Sequence, residues 1–579
     1  MLNKKQEIMR HSCSHVLAAA VLNLFPGTKL GIGPTIKEGF YYDFEFPKSI
    51  NEEDLGKISA SMIRIIESKF PFKKESVSIK RAQEIFKNQP YKLELIKDLA
   101  SEGKKEVTIY QTGNFIDLCE GPHVSNTSKI GPFKLLSLAG AYWRGSEKNP
   151  MLTRIYGTCF PTQKELDQHL WQLEEAQKRD HRRLGKDLAL FTISDEVGAG
   201  LPIWHPKLSL VRAEIENFWK EKHKEEGYQY VYSPHIGKKS LWEKSGHWKF
   251  YRELMYSPME IEGVDYLIKP MNCPFHVQIY KSQIRSYKDL PIRYCELGTV
   301  YRFEPSGTLH GLTRVRGFTQ DDSHIFCRPD QLENEILGVL NLALRMLSSF
   351  GFKNYQIDLS IRDPKEKEKY MGTDKIWEKA EKSLEQALKK KRLSYHRALG
   401  EAVFYGPKID IKLKDALGRQ WQCSTIQVDF NFPEKFDLNF IDKDGKRKQV
   451  VMVHRTILGS MERFCGCLIE HYAGSFPVWL APVQVVVIPI TDKQVKYGQE
   501  VTEKLKKEEI RAELDDRNET TSAKIRQAEL QKVPYMVVVG EKEVKAKNIS
   551  LRARGEKDLG KMNFDKFLTK IKSEIENKK

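Results

Sequence analysis

The chain has 579 residues, of which 40% are hydrophobic, 10% aromatic and 30% charged. Such a length predicts about three to four domains, and the composition excludes a disordered, collagen-like or disulfide-scaffold protein. The formal net charge of +17 favours a polyanionic partner, with nucleic acid ahead of a membrane surface. A basic protein without such a partner is the alternative that the charge alone leaves open.

The N-terminus and the cysteines indicate the compartment. The apolar run from Val16 to Phe25 imitates a signal peptide, but Asn23 interrupts it and no cleavage site follows, so we expect an amphipathic helix that ends at Pro26. No apolar run reaches the roughly 18 to 20 residues that span a bilayer. The nine cysteines are scattered and lack a CxxC pair, which argues against disulfides and predicts a cytoplasmic location.

Four regions follow one another along the chain. Residues 1–161 mix helices with short strands, and residues 162–186 predict one long polar connector helix with a basic end. Residues 187–480 contain short alternating strands between helices, and residues 481–579 have the strand–helix order of a small α/β domain with a partly parallel sheet. The basic end of the connector fits either a phosphate backbone or a solvated surface: Lys178, Arg179, Arg182, Arg183 and Lys186.

A predicted hairpin in the third region gathers polar side chains. The stretch Tyr294–Pro305 alternates like a strand, and a second strand-like run extends from Leu312 to Phe326 after a turn. A guanidinium group suits phosphate oxygens, and a carboxylate can accept from an exocyclic amine. A salt-bridged surface hairpin is the alternative for either strand taken alone. Without a bulge, counting by twos turns these residues toward one cleft: Arg302, Glu304, Arg314, Gln320, Asp322 and His324.

The stretch from His454 to Gly474 is predicted to be a helix. From Gly459 onward its apolar residues fall on one stripe, and Arg463 lies on the opposite side, away from the core. Gly459 and Ser460 allow another group to come close to the backbone just before this stripe. A free guanidinium beside an open backbone position favours a binding role for this part of the chain.

These segments carry a family resemblance. YRFEP with Arg302 and GSMER ending in Arg463 resemble motifs 2 and 3 of the class II aminoacyl-tRNA synthetases, and the segment from Leu208 to Pro234 resembles motif 1, the homodimer interface of that family. The closer resemblance is to the threonyl-tRNA synthetases, and it runs from residue 1 to the C-terminus. It implies a multidomain α+β and α/β protein with an antiparallel-sheet catalytic core, an α+β editing domain and an α/β anticodon-binding domain. It rests on residues 269–274, 314–326, 404–410, 421–430 and 454–463.

The resemblance implies an enzyme that activates L-threonine with ATP and transfers it to the 3′ end of tRNA(Thr). Arg302 would hold the α-phosphate and Glu304 the adenine amine, while Arg314 and Arg463 would hold the β- and γ-phosphates with their Mg²⁺. The three arginines are the catalytic residues in this comparison, because positioning and charge stabilisation supply the catalysis of phosphoryl transfer. The family pattern places further residues in the threonine pocket: Gln320, Asp322, Tyr405, Lys408, Gln422 and Ser460.

The resemblance also implies one zinc ion per subunit in the catalytic domain. Spacing alone does not pair Cys273, His324 and His454, but these three match the zinc ligands of the family. One thiolate and two imidazoles leave an open position, which the amine and hydroxyl of threonine would enter, so that valine is rejected. Serine lacks only a methyl group, worth roughly 1–3 kcal/mol. The sequence therefore predicts a second, proofreading site.

The first region supplies candidates for proofreading. Read alone, His11 and His15 with Cys119 and His123 suggest either a four-ligand metal site or two unrelated pairs. Together they resemble the editing domain shared by threonyl- and alanyl-tRNA synthetases, which implies hydrolysis of mischarged seryl-tRNA(Thr). The resemblance adds two further editing residues and leaves open whether this site binds a metal: Lys92 and Asp117.

The last region resembles the anticodon-binding domain of the family. Four polar residues match its base-reading positions, and their amide, guanidinium and carboxylate groups suit splayed single-stranded bases: Asn518, Arg526, Glu543 and Arg552. The sequence departs from the family pattern in two places. HSCSH begins at His11, which leaves no room for the small ubiquitin-like domain of most bacterial relatives, and Phe275 stands where the family usually has glycine.

Three alternatives compete with this interpretation. A catalytically inactive, synthetase-like RNA-binding protein is the principal one, and the presence of Arg302, Arg314 and Arg463 argues against it. Another class II synthetase is the second, and the cysteine and histidine set argues against the prolyl and seryl enzymes. A free-standing editing hydrolase is the third, and it would not need a complete second active site.

Overall fold

The structure is a computed structural model that describes residues 4–414 and 420–578, and the chain divides into two units, Met1–Glu174 and Glu175–Lys579. The helices of the first unit that precede the connector are α1 (Lys4–Leu24), α2 (Glu52–Glu67), α3 (Ile79–Ile85) and α4 (Pro90–Ser101). Its strands are β1 (Lys29–Leu30), β2 (Thr35–Ile36), β3 (Gly39–Glu45), β4 (Phe72–Ser78), β5 (Glu106–Thr112), β6 (Phe115–Leu118), β7 (Phe133–Tyr142) and β8 (Met151–Cys159). They form two antiparallel sheets, β1–β3–β8–β7 with β2 beside β3, and β4–β5–β6.

Helix α1 lies in the middle of the first unit. It packs against α2 and β3, and every residue from Ser12 to Val21 is buried. The predicted amphipathic character is therefore wrong for this stretch, because its neighbours enclose the helix and no face of it meets water. Its end at Leu24 agrees with the stop predicted at Pro26.

The connector consists of two helices, α5 (Gln163–Arg179) and α6 (His181–Asp187), where the sequence predicted one. Asp180 interrupts the helical backbone and caps α6, since its carboxylate accepts from the backbone N–H of Arg182 at 2.8 Å. Acidic neighbours neutralise part of the basic end: Glu175 pairs with Arg179, Asp180 with Arg182 and Asp187 with Arg183.

The second unit continues with a large mixed region. Its helices are α7 (Pro206–Glu225), α8 (Lys239–Ser245), α9 (His247–Phe250), α10 (Cys273–Lys281), α11 (Leu332–Ser349), α12 (Asp374–Lys390), α13 (Asn431–Phe436) and α14 (Met461–Tyr472). Its strands are β9 (Phe191–Ile193), β10 (Pro202–Trp204), β11 (Gln229–Tyr230), β12 (Ile236–Lys238), β13 (Met259–Ile261), β14 (Val264–Ile268), β15 (Ile292–Tyr301), β16 (Gly317–Cys327), β17 (Tyr355–Ile361), β18 (His396–Leu399), β19 (Lys408–Lys414), β20 (Gln420–Asp429), β21 (Asn439–Ile441), β22 (Arg447–Gln449) and β23 (Val451–Ser460).

One large sheet organises this region. Its strand order is β11–β15–β16–β23–β20–β19–β17–β18, and it is antiparallel except at its edges, where β11 pairs with β15 and β17 with β18 in parallel. Apolar side chains of α7, α11, α12 and α14 form one core with the sheet. The predicted antiparallel-sheet core is confirmed.

The predicted hairpin has different bounds. Strand β15 ends at Tyr301 and β16 begins at Gly317, so the polar residues 302–316 lie in the connecting loop. The loop leaves the sheet because Arg316 donates its backbone N–H to the carbonyl of Gly200 at 2.7 Å, which takes the place of a strand partner. The first part of the predicted helix is also strand, since β23 extends through Ser460 and its backbone pairs with β16 and β20. Helix α14 begins at Met461, with Ser460 as its N-cap.

The end of the second unit is a small α/β domain. Its helices are α15 (Val495–Lys507), α16 (Thr521–Leu530), α17 (Glu541–Ala546) and α18 (Phe564–Glu576), and its strands are β24 (Val485–Pro489), β25 (Ala512–Leu514), β26 (Tyr535–Val539), β27 (Asn548–Ala553) and β28 (Lys557–Asn563). The sheet order is β25–β24–β26–β27–β28. Strands β25, β24 and β26 are parallel and the others antiparallel, which confirms the partly parallel sheet.

Arg511 joins this domain to the rest of the second unit. Its guanidinium donates to the carbonyls of Ala481 and Trp479 at 2.9 and 2.6 Å and pairs with Glu214 of α7 at 2.6 Å. Lys207 of α7 adds a contact of 2.5 Å to the side chain of Gln531. In the part of the chain that the structure describes, no helix combines the length and apolar character needed to cross a membrane.

Candidate active site

A cavity of about 320 Å³ is lined by β16, β20, β23, the loop between β15 and β16, and the start of α14. The structure brings together at this cavity the residues that the sequence placed at the ATP, threonine and zinc sites. These are Cys273, Arg302, Glu304, Arg314, Gln320, Asp322, His324, Tyr405, Lys408, Gln422, His454, Ser460 and Arg463.

The three arginines predicted for ATP line this cavity, and each is held in its own way. Arg302 donates from Nε to the carbonyl of Pro270 at 3.2 Å. Arg463 donates from Nε to the carbonyl of Thr313 at 3.0 Å. Arg314 donates from Nε and Nη2 to one carboxylate oxygen of Glu304, at 3.1 and 2.9 Å. Two of the groups predicted for ATP therefore bind each other.

The polar groups of the predicted threonine pocket are held by a carboxylate that the sequence analysis missed. Asp410 accepts from Lys408 Nζ at 2.6 Å, from Gln422 Nε2 at 2.8 Å and from the hydroxyl of Thr425 at 2.8 Å. It stands two residues after Lys408 on the same strand, so the period of two was an available signal. Asn272 is a second missed residue, and it donates to Asp322 at 3.2 Å.

A bulge beside the cavity depends on a third missed residue, Asp321. The register between β16 and β23 passes from Gln320 opposite Ser460 to Asp322 opposite Thr456, so three residues of β23 face Asp321 alone. Their backbone N–H groups lack a strand partner on this side, and the Asp321 carboxylate accepts all three. The donors are Ile457, Leu458 and Gly459, each at 2.9 Å for its shorter contact.

Glu462 is a second buried carboxyl near the cavity. It accepts from the backbone N–H of Thr319 at 2.9 Å, and Arg212 lies 3.8 Å away. Burial raises the pKa of Glu462 to about 7, although the Arg212 charge and the backbone donors act in the opposite direction. Its neighbour in the sequence is Arg463, so this carboxyl fixes the first turn of α14 where the guanidinium leaves the helix.

The donor atoms of Cys273, His324 and His454 lie within 4.8 Å of one another, and all three residues are buried. Cys273 is the first residue of α10, and the two histidines stand opposite each other on β16 and β23. Each imidazole has one nitrogen anchored by a neighbour: His454 Nε2 lies 3.0 Å from Asp429, and His324 Nδ1 lies 2.8 Å from His276. One sulfur and two nitrogens, with each imidazole held by a neighbouring side chain, fit a zinc ion.

Two more residues bear on this trio. His247 was missed by the sequence analysis, and its Nε2 lies 3.8 Å from the sulfur of Cys273. Burial, reinforced by the His454 charge, lowers the pKa of His247 to about 3. Phe275, the departure from the family pattern, packs edge-on against Trp242 with ring centroids 5.8 Å apart and does not line the cavity.

The first unit holds a separate polar cluster. The donor atoms of His11, His15, Cys119 and His123 lie within 4.8 Å of one another, and the Cys119 sulfur is 3.4 Å from a nitrogen of His11 and of His123. Burial raises the pKa of Cys119 to about 11, and burial together with the neighbouring imidazoles lowers the pKa of His123 to about 2. The imidazole of His123 is thus neutral at physiological pH.

A buried ion pair completes this cluster. Lys92 Nζ lies 2.5 Å from Asp117, and each side chain is only 2% exposed. The hydroxyl of Tyr42 donates to the other oxygen of Asp117 at 2.7 Å, and His15 lies 3.6 Å from the same oxygen. The six residues predicted for editing therefore lie together, and Tyr42 joins them.

The four residues predicted to read the anticodon occupy different positions in the small C-terminal domain. Asn518 and Arg526 are exposed. Glu543 is buried, and its carboxylate accepts from the backbone N–H of Gly540 at 3.0 Å, so it caps α17. Arg552 is half-buried on β27 with Asp558 at 3.4 Å. Exposure favours base contacts most directly for Asn518 and Arg526.

Comparison with known proteins matches three of the four regions to family models. Residues 257–472 match the tRNA synthetase class II core domain (G, H, P, S and T), residues 484–574 the anticodon binding domain, and residues 107–156 the threonyl and alanyl tRNA synthetase second additional domain. The chain is 54% identical over 99% of its length to a threonine–tRNA ligase of Dehalococcoides mccartyi (strain CBDB1), of which it covers 97%. It is 53% identical over 99% of its length to a threonine–tRNA ligase of Sulfurihydrogenibium sp. (strain YO3AOP1), of which it covers 89%. The solved RNA binding domain of threonyl-tRNA synthetase from Cryptosporidium parvum Iowa II is 36% identical with a TM-score of 0.65, over 68% of this chain and 98% of that one.

Proposed function

This chain belongs to the threonine–tRNA ligase family, and from that premise we propose how its residues divide the work. The enzyme activates L-threonine with ATP to threonyl-adenylate, transfers the threonyl group to the 3′ end of tRNA(Thr), and hydrolyses mischarged seryl-tRNA(Thr). ATP enters with Mg²⁺, as the class II core implies. We assign editing to residues 1–161, a connector to 162–186, catalysis to 187–480 and anticodon binding to 481–579.

Adenylate formation is an in-line attack of the threonine carboxylate on the α-phosphorus, with pyrophosphate leaving on the opposite side. Arg302 holds the α-phosphate, since its Nε is already bound to Pro270 and its terminal nitrogens are left for phosphate oxygens. Arg314 and Arg463 hold the β- and γ-phosphates. Glu304 accepts from the adenine amine once Arg314 has moved to the phosphates. ATP therefore breaks the ion pair between Arg314 and Glu304 and gives each of the two side chains a contact with the nucleotide.

Selection of threonine rests on the other half of the cavity. A zinc ion held by Cys273, His324 and His454 would supply an open coordination position for the amine and hydroxyl of the substrate. Asp322 faces the same space and is itself oriented by Asn272. Valine would leave these buried polar groups without partners, and it is rejected for that reason. Gln320, Tyr405, Lys408, Gln422 and Ser460 complete the proposed pocket.

Serine passes this selection too often, and the cluster in the first unit removes it. Asp117, held by Lys92 and Tyr42, lies in the same cluster as the imidazoles. We assign to His11 and His123, with His15 and Cys119, the orientation of a water molecule that attacks the ester of seryl-tRNA(Thr). Neutral imidazole nitrogens can accept hydrogen bonds from that water.

The remaining partners are assigned from the family pattern and from exposed side chains. The anticodon is read by Asn518, Arg526, Glu543 and Arg552. The homodimer forms around Pro234, and the support is an edge strand, β11, followed two residues later by Tyr232, an aromatic side chain that is 87% exposed. All nine cysteines are free thiols, which supports the cytoplasm as the compartment.

The observation that carries the catalytic assignment is the convergence of three guanidinium groups, a carboxylate and a cysteine–histidine trio on one cavity. ATP–pyrophosphate exchange with threonine, valine and serine, with and without a zinc chelator, tests it. We expect exchange with threonine and serine, little with valine, and loss of exchange after chelation. Exchange that survives complete zinc removal contradicts the metal assignment, whereas the absence of exchange with threonine contradicts the assignment of the whole cavity.

The editing assignment has its own test. His11→Ala/His123→Ala protein should hydrolyse pre-formed seryl-tRNA(Thr) far more slowly than the wild type while keeping its threonine exchange. Arg302→Ala is the matched control, because it should lose exchange and keep hydrolysis. Wild-type hydrolysis by the double variant contradicts the editing role.

A further inference from the structure

A buried row of polar side chains lies behind the proposed metal ligands, and none of the roles above uses it. We propose that His276 and Glu296 form a relay that fixes the orientation and the tautomer of His324, and that both are positioning residues of the zinc site. The inference rests on the proposed zinc role of Cys273, His324 and His454.

The relay is a continuous line of short contacts. His324 Nδ1 lies 2.8 Å from Nδ1 of His276, and the two rings are perpendicular with centroids 4.6 Å apart. Nε2 of His276 lies 3.3 Å from a carboxylate oxygen of Glu296. His276 is fully buried and Glu296 is only 4% exposed. Polar groups without access to water depend on their buried neighbours, and Nε2 of His276, which makes no hydrogen bond, has the Glu296 carboxylate as its charged neighbour.

The protons of the relay have one consistent arrangement. A neutral imidazole that gives Nε2 to a metal carries its proton on Nδ1. His324 would therefore donate from Nδ1 to Nδ1 of His276, which accepts only if its own proton is on Nε2. That nitrogen lies 3.3 Å from a carboxylate oxygen of Glu296, a contact of charge and distance that is not aligned as a hydrogen bond. The opposite arrangement would place a proton on the His324 nitrogen that faces the metal, so the carboxylate at the far end selects the tautomer that binds.

Glu296 is itself held in place from the other side. The backbone N–H and the hydroxyl of Ser233 donate to its two oxygens at 2.9 and 2.6 Å. Lys269, which is 1% exposed, donates to the same hydroxyl at 2.8 Å and brings a positive charge within 3.8 Å of the carboxylate. The carboxylate therefore has little freedom to turn, and its orientation passes through His276 to His324.

The geometry of α10 supports the same conclusion. Cys273 and His276 are three residues apart on this helix, so they share a face and move together. One helix thus supplies a proposed ligand and the group that orients another ligand. The second imidazole is arranged more simply, because His454 contacts the carboxylate of Asp429 directly at 3.0 Å.

The experiment measures zinc binding by the full-length chain. Zinc affinity is taken from competition with a chromogenic chelator, and ligand geometry from the visible spectrum of the cobalt-substituted protein. His276→Phe removes both nitrogens of the relay, and Glu296→Gln removes the charge at its end. Loss of an outer partner of a metal ligand typically lowers affinity by about 10–100-fold, and we expect this for His276→Phe together with an altered cobalt spectrum.

Two further variants separate positioning from packing. In His276→Gln the amide oxygen can accept from His324 while the amide NH2 donates to Glu296, so most of the affinity should return. His223→Gln is the matched control, since His223 is another fully buried histidine of the second unit and does not line the cavity. The KM for threonine should rise in His276→Phe while the KM for ATP stays within about twofold, because only the metal half of the cavity changes.

The outcomes are distinguishable. Wild-type zinc affinity and an unchanged cobalt spectrum in both folded variants, His276→Phe and Glu296→Gln, overturn the relay. If His276→Phe does not fold, Glu296→Gln decides, because it keeps the size of the side chain; reduced affinity supports the relay and wild-type affinity overturns it. A wild-type protein that binds no zinc refutes the metal assignment itself, and the relay falls with it.

Discussion

Glu462→Gln should stabilise the second unit at alkaline pH and change it little at acid pH. Burial raises the pKa of the carboxyl from 4.5 to about 7. Because the folded pKa exceeds the unfolded one, the stability that this group contributes is complete below the unfolded value and is lost as the pH rises through the folded value. At about 1.4 kcal/mol per pH unit, the loss amounts to about 3 kcal/mol between about pH 5 and pH 8. Glutamine does not titrate, and its amide oxygen still accepts from Thr319.

Thermal unfolding of the full-length protein at both pH values measures the effect. In a domain of this size the thermal unfolding midpoint shifts by roughly 2 °C for each kcal/mol of stability. When the pH is raised from about 5 to about 8, the midpoint of the variant should therefore rise by about 6 °C relative to that of the wild type. Glu216→Gln is the control, because Glu216 pairs with the same Arg212 at 2.6 Å from a half-buried position and the gain should be small. Unfolding midpoints that change equally with pH in Glu462→Gln and in the wild type would refute the reasoning.

Three other substitutions have defined outcomes. Asp321→Ala leaves three backbone N–H groups without an acceptor, at about 1–3 kcal/mol each, so ATP–pyrophosphate exchange should fall about 100-fold or more; wild-type exchange would show that the bulge holds its shape unaided. Lys92→Met leaves Asp117 as an unpaired buried charge, so the free energy of unfolding of the first unit should fall by about 3–5 kcal/mol. The variant should lose seryl-tRNA hydrolysis and keep threonine exchange; wild-type hydrolysis would contradict the editing role of Lys92. Glu304→Ala should raise the KM for ATP about tenfold through loss of a charged acceptor, less the gain from freeing Arg314; an unchanged KM contradicts the adenine contact.

The residues of the candidate cavity could be predicted from the sequence because they stand in short segments whose composition and order are specific in combination. Arg302 and Arg463 are the clearest cases, since each belongs to a motif that is specific in combination with the others. The fold class followed from the same segments. The strand at residues 454–460 was missed because it lies in the middle of the sheet, where residues 454–458 are all buried. Polar and apolar side chains therefore do not alternate there as they do in a half-buried strand.

The residues that orient the site were not predicted from the sequence. Asp321 accepts hydrogen bonds from the backbone N–H groups of residues 457–459, which lie more than a hundred residues after it in the chain. No local sequence pattern predicts a contact between residues so far apart. His276 likewise contacts a residue of another element, His324. The break at Asp180 could have been predicted from the sequence. An aspartate before a new helical run is a recognised N-cap signal, and it indicates that the connector divides there.

The three anchoring contacts of Arg511 have a consequence for the choice of tRNA. They fasten the anticodon-binding domain to α7 and to the segment that precedes it, so the bases of the anticodon are presented at a set span from the adenylation cavity. A nucleic acid of another length or bend can meet one end of this span but not both together. We therefore expect the enzyme to select its tRNA by the distance between the anticodon and the 3′ end as well as by the anticodon bases. No single base contact supplies this selection by size.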